Sequence, residues 1–299
     1  MANGTQLASF EYQSITDINY ITPLTFKGKA ATNAVQLNAV NSPSAVTLQY
    51  RKNNGAWQDY SIGTTIPFNQ GETVGFKGSG STFSQAANKY YRFAMTGSIE
   101  ARGNVQSLVN FSNTAGNFAA LFSGCTALVS PPLLTAETLT NYCYVWMFMG
   151  CTALTTAPEL PAPIATEGCY QEMFENCTSL SVGPTILPAP EIFSYTYQKM
   201  FSGCTSLVNG PEICATSING AGCMTRMFEG CSHLQYIKVH FTAWPAAGGA
   251  YYWVYSVPTG GKFVKPTALP ERTASNSNDY IGIPNGWTVE TFWGEKWLI

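Results

Sequence analysis

The sequence predicts a mainly β protein: an N-terminal antiparallel β-sandwich, then a short solenoid, then an aromatic C-terminal cap. Three observations predict it. The composition is 45% hydrophobic but only 11% charged, with 27 Gly, 17 Pro, 16 Tyr and 17 Phe, a mixture suited to short strands joined by many turns. Apolar and polar residues alternate over the first third of the chain, and one short phrase is written five times in the middle. At 299 residues the chain is long enough for two or three structural units, each able to bury a core. The 15 Lys+Arg and 17 Asp+Glu nearly cancel, which argues against nucleic acid as a partner, since its binders cluster cations on the phosphates. No run reaches the ~20 apolar residues of a spanning helix, so no membrane insertion is expected.

Residues 1–22 read as an N-terminal arm. Met1 to Phe10 lack the basic and apolar regions of a secretory signal, and the expectation is a chain that does not leave a bacterium by the general export route. From 23 to 97 the alternation is period two: Leu24-Thr-Phe26, Val35-Gln-Leu37, Val46-Thr-Leu48-Gln-Tyr50, Ile66-Pro-Phe68, Val74-Gly-Phe76. That periodicity gives antiparallel strands with one buried face. Asn53-Asn54-Gly55 between two such runs supplies the positive φ of a tight hairpin turn. A β-sandwich domain follows.

Residues 98–242 read as the solenoid. The phrase runs Leu121-Phe122-Ser-Gly-Cys125-Thr-Ala-Leu128, then Met147-Phe148…Cys151…Leu154, Met173-Phe174…Cys177…Leu180, Met200-Phe201…Cys204…Leu207 and Met227-Phe228…Cys231…Leu234. The cysteines advance by 26, 26, 27 and 27 residues. That period falls in the range of leucine-rich repeats and related solenoids, whose units bury their apolar side only by stacking. The same column then recurs at about the ~4.8 Å strand spacing, so Phe122, Phe148, Phe174, Phe201 and Phe228 are expected to form one inward ladder, and Cys125, Cys151, Cys177, Cys204 and Cys231 another. Pro132, Pro158, Pro184 and Pro211 stand seven past the cysteine and remove a donor from each strand, so the strands should be short. Lys238 takes that column in the last copy, and Cys143, Cys169, Thr196 and Cys223 fill a second column. Ile99, Val105, Leu108, Val109 and Phe111 suit an atypical first rung, making five clear repeats and one irregular one.

The phrase resembles the BspA-like leucine-rich repeats of bacterial surface proteins, over residues 115–242. This chain differs in its longer period and its proline inside the strand run. Leu48-Gln-Tyr-Arg-Lys-Asn-Asn-Gly-Ala-Trp57 and Gly282-Ile-Pro-Asn-Gly-Trp287-Thr-Val resemble the flanking modules of such repeats in gut Bacteroidales and their bacteriophages. The resemblance implies a non-enzymatic virion structural protein: a head or tail decoration, fibre or adhesin component, attaching through protein or glycan contacts. A bacterial cell-surface or secreted adhesin is the alternative. The partners implied are other virion proteins or a host-surface protein or glycan, within a homo-oligomer or larger assembly.

Residues 243–299 hold five of the seven tryptophans and read as a cap or docking segment over the open end of the coil. Trp253, Tyr255, Trp287, Trp293 and Trp297 are the candidate docking or oligomer interface, because such side chains are enriched at interfaces. Trp293 and Trp297, four apart, would share a face if that end were helical. No convincing catalytic constellation appears. His233 occupies a variable, solvent-facing repeat column, and His240 lies on the last strand. The cysteines lack the close pairs that zinc sites use and read as architectural. No enzyme activity, metal or cofactor is expected.

Overall fold

The computed structural model describes residues 21–83, 88–115, 117–246, 248–274 and 280–293. The arm, apart from its last two residues, lies outside them. Strands β1 (Leu24–Gly28), β3 (Leu48–Lys52), β4 (Gln58–Tyr60), β6 (Thr73–Gly78), β8 (Ile99–Arg102) and β9 (Leu128–Ser130) form one sheet in the order β4-β3-β6-β1-β8-β9. Strands β2 (Thr32–Val40), β5 (Thr65–Asn69) and β7 (Tyr90–Thr96) form a second, in the order β5-β2-β7. All pairs are antiparallel except β8 with β9. The alternation in the sequence is the burial pattern of these strands: Leu24, Phe26, Val35, Leu37, Val74 and Phe76 are all buried. The sheets meet edge-to-face through Phe26, Phe76 and Phe93, with Phe93 4.9 Å from Phe26 and 5.4 Å from Phe76.

Strand β8 is the switch. It runs antiparallel to β1 and parallel to β9, and it marks the passage into a β-solenoid of about seven turns. Its inner ladder is continuous: Phe122, Phe148, Phe174, Phe201 and Phe228 stack at 5.3–5.6 Å with interplanar angles of 2–10°. Phe93 begins it, stacked 5.6 Å from Phe122 with the rings 12° from parallel, so the coil starts inside the stretch assigned above to the sandwich. A second aromatic ladder runs beside it through Phe118, Tyr144, Tyr170 and Tyr197 at 6.0–6.3 Å.

The repeated phrase has a backbone reason. Along one rung the N–H groups of Tyr195, Tyr197, Lys199, Phe201 and Gly203 reach carbonyls of the next rung, while those of Thr196, Gln198, Met200, Ser202 and Cys204 reach back three residues. Every donor is used, alternately along and across the coil. This geometry places a left-handed residue at every fourth position: Tyr142, Trp146 and Gly150, then Gly168, Glu172 and Asn176, then Tyr195, Lys199 and Gly203. The Gly or Asn before each cysteine is therefore required by φ, between 60 and 75° from Asn176 to Gly203. The cysteine has its own role. Each thiol donates to the phenylalanine carbonyl of the preceding rung, from Cys125 to Phe93 through Cys231 to Phe201, at 3.0–3.1 Å.

On the opposite side the strands are short, two to five residues. They are β10 (Ile186–Leu187), β11 (Glu191–Ile192), β12 (Asn209–Ile213), β13 (Ser217–Ile218), β14 (Tyr236–Val239), β15 (Lys262–Pro266) and β16 (Thr288–Phe292). Strands β10-β12-β14-β15-β16 make a parallel sheet, and β11 pairs with β13. Strands β15 and β16 continue that sheet in register, Tyr236 opposite Lys262 opposite Thr288. The coil thus runs on through the described part of the segment expected to cap it. Hydrogen bonds require the same continuation on the turn side, where Phe228 N–H reaches Trp253 O and Gly230 N–H reaches Tyr255 O.

Candidate functional site on the outer face of the C-terminal rungs

The five aromatic residues singled out above separate into three groups. Trp253 is fully buried, its indole donating to Gly282 O at 2.9 Å, and Trp287 is 7% exposed with its indole on Pro258 O at 2.7 Å. The expectation that these two dock a partner is corrected: both fill the core, Trp253 in the column of the repeat methionines. Tyr255 and Trp293 are 38% and 83% exposed. Trp293 follows strand β16 directly, so the residues leading into it are extended rather than helical, and Trp297 lies outside the described residues. Tyr255 belongs to a cluster, 5.5 Å from Tyr252 and 4.8 Å from Tyr280, with the Arg226 guanidinium 5.5 Å above the Tyr252 ring. Tyr252 and Ser256 hold left-handed positions here, the geometry that turns residues 248–257 along the coil surface.

The second region is the outer face of the parallel sheet. Period-two alternation sends Ile213, Ile237, Val239 and Phe263 inward, and leaves Glu212, Lys238, Lys262 and Glu290 on the outer face. A groove of about 330 Å³ is lined there by Lys238, His240, Lys262, Val264, Glu290 and Phe292. Phe292 leans across it, with its ring 5.1 Å from His240 and 5.6 Å from the Lys238 ammonium. Glu212 Oε1 accepts from Lys238 Nζ at 2.9 Å and lies 2.6 Å from His240 Nε2. The His240 hydrogen bond holds the Glu212 carboxyl below its ordinary range against the opposing effect of burial, with Lys238 adding to the lowering. Cys214 stands beside them, its thiol pushed up to about 11 by burial and by Glu212. Glu212, Cys214 and His240 bring three potential metal donors within 4.8 Å of one another.

His240, placed on the last repeat strand by the sequence, stands one residue past β14, buried and paired with Glu212. His233 is exposed, with Nδ1 against Thr205 O. Sequence spacing could not join Cys214 to His240, because they meet through the register of adjacent rungs, one past Ile213 and one past its partner Val239. Two signals were present nonetheless. Cys214 fits neither cysteine column, and Lys238 stands where the other copies have proline. The eight column cysteines offer no comparable chemistry, being fully buried, with the thiols of Cys125, Cys169, Cys177 and Cys231 pushed up to about 12 by desolvation.

No family model matches this chain, and neither a curated protein nor a solved structure does so.

Proposed function

We propose that this chain is a non-enzymatic attachment protein, a structural component of a bacteriophage virion from gut Bacteroidales, serving as a decoration, fibre or adhesin component. The two N-terminal sheets act as a β-sandwich that docks on the particle, and the coil stands outward as a stiff spacer. The observation that carries the reading is the placement of aromatic side chains at the far end. Tyr255 and Trp293 are exposed there while the interior is filled by the stacked ladder. Amphipathic rings beside a guanidinium, as at Tyr252 and Arg226, are the side chains that supply contact area to a protein or glycan at low entropic cost.

Particles purified from the host culture and analysed by mass spectrometry should contain the chain, and an antibody to residues 115–242 should label intact particles. Absence from every virion preparation, or labelling of host cells in place of particles, overturns the reading; the second result would instead favour a cell-surface adhesin.

A further inference from the structure

We propose that Glu212, Cys214 and His240 form a zinc(II) site that clips two adjacent rungs together on the outer face of the parallel sheet. Cys214 follows β12 and His240 follows β14, on strands whose register sets Ile213 against Val239. The two side chains therefore project from matching places on neighbouring turns, and Glu212 reaches the same point from two residues earlier. A thiolate, an imidazole and a carboxylate are the donor set that zinc takes, at about 2.3, 2.0–2.1 and 2.0–2.2 Å.

Tetrahedral bonds of those lengths put donor atoms about 3.6 Å apart. The donors here all lie within 4.8 Å of one another, and His240 Nε2 and Glu212 Oε1 stand 2.6 Å apart. Side-chain rotations of about 1 Å, one opening the His240–Glu212 contact and the others closing on Cys214, reach the tetrahedral spacing. The metal replaces that hydrogen bond: the Cys214 thiol proton leaves to solvent, His240 gives up its Nε2 proton and binds as the neutral imidazole protonated on Nδ1, and the fourth position faces the groove beside Phe292.

An independent observation singles out Cys214. Five of the nine cysteines donate to phenylalanine carbonyls inside the coil, and the three in the second column are equally buried. Cys214 is half-buried and outside both columns, and among the described residues its thiol makes no hydrogen bond. The coil does not account for a cysteine there; a metal does. Lys238 sets the strength. Its ammonium, 2.9 Å from Glu212 Oε1, orients the carboxylate but brings a positive charge toward the cation, so zinc binds more weakly than in a site without it.

The test uses the full chain, reduced and freed of metal. Cobalt(II) should bind at one equivalent with thiolate-to-cobalt charge-transfer absorption, and zinc should displace it. In the native protein a thiol reagent should label one cysteine, and saturating zinc should slow that labelling by ~10-fold or more, since the metal-bound thiolate is withdrawn from attack. Cys214→Ser should abolish the absorption and Glu212→Gln should weaken zinc by ~10-fold or more. Lys238→Met, which keeps all three donors, should tighten it, so the site is tested even if a ligand variant folds poorly. Absence of the absorption in the wild-type chain, its persistence in Cys214→Ser, or unchanged zinc affinity in Lys238→Met overturns the proposal.

Discussion

The turns from Phe122 to Leu234 and the turn at 248–257 close the same hydrogen bonds with different side chains. In the earlier turns the phrase Met-Phe-x-Gly-Cys recurs. In the later one Trp253 stands in the methionine place, Val254 in that of phenylalanine, Ser256 in that of glycine and Val257 in that of cysteine, as the bonds from Phe228 to Trp253 and from Gly230 to Tyr255 fix the alignment. The backbone rule shared by both, one left-handed residue in four and carbonyls that receive the crossing bonds of the preceding rung, is therefore the invariant. Phenylalanine and cysteine are one way of filling the interior that it leaves. The difference also divides the coil chemically, because every cysteine lies at or before Cys231.

Alkali should expose that division with the largest effect. A thiol with an ordinary value near 9 ionises in the unfolded chain, whereas Cys125, Cys169, Cys177 and Cys231, pushed up to about 12, stay protonated when folded. The folded state then holds more protons, so this contribution is complete below about pH 9 and is lost as pH rises toward 12. By pH 10 the loss amounts to about 1.4 kcal/mol per buried thiol. Denaturant titrations should show stability falling steeply above pH 9, and hydrogen exchange should show protection lost first in 118–242. Constant stability from pH 8 to pH 10.5 would contradict the buried thiol ladder.

Truncating a ring tests interior against end. Phe174→Ala removes a side chain stacked at 5.5 and 5.6 Å on both neighbours and should cost ~3–5 kcal/mol in chemical denaturation. Trp253→Ala removes as much core, but in a coil where each turn contacts only its neighbours it should release the last turns while residues 118–242 remain protected from exchange. If Trp253→Ala melts the whole chain with the Phe174→Ala profile, the end is no more separable than the middle. The smallest effect is conformational. Ser256 has φ 59° where Gly230 has 71°, so Ser256→Gly should raise stability by about 1 kcal/mol, from the cost of a side chain in the left-handed region. A lower melting temperature would show that the serine side chain matters more than its φ.

Much of this architecture was legible because period and burial coincide. Five matching phrases gave the coil, and period-two alternation gave the N-terminal strands whose Leu24, Phe26, Val35 and Leu37 are buried. Phe93 was missed because it joins the ladder from an antiparallel strand, 29 residues before Phe122 and without the cysteine phrase. Trp253 and Trp287 were misplaced because a tryptophan-rich end looks alike whether its indoles face a partner or satisfy carbonyls inside, as they do at Gly282 and Pro258. The groove was invisible for a third reason. Glu212, Cys214 and His240 are neighbours only once the register between turns is known, and register is a property of the folded coil.

Strand β8 faces an antiparallel partner on one side and a parallel one on the other. Growth of the coil is thereby blocked at its N-terminal end, while each added or deleted unit of 26 or 27 residues lengthens or shortens it by one strand spacing, ~4.8 Å. The separation between the N-terminal sheets and the distal groove is thus quantised. A lineage of such chains could tune its reach in fixed increments, like notches on a ruler, without redesigning either extremity.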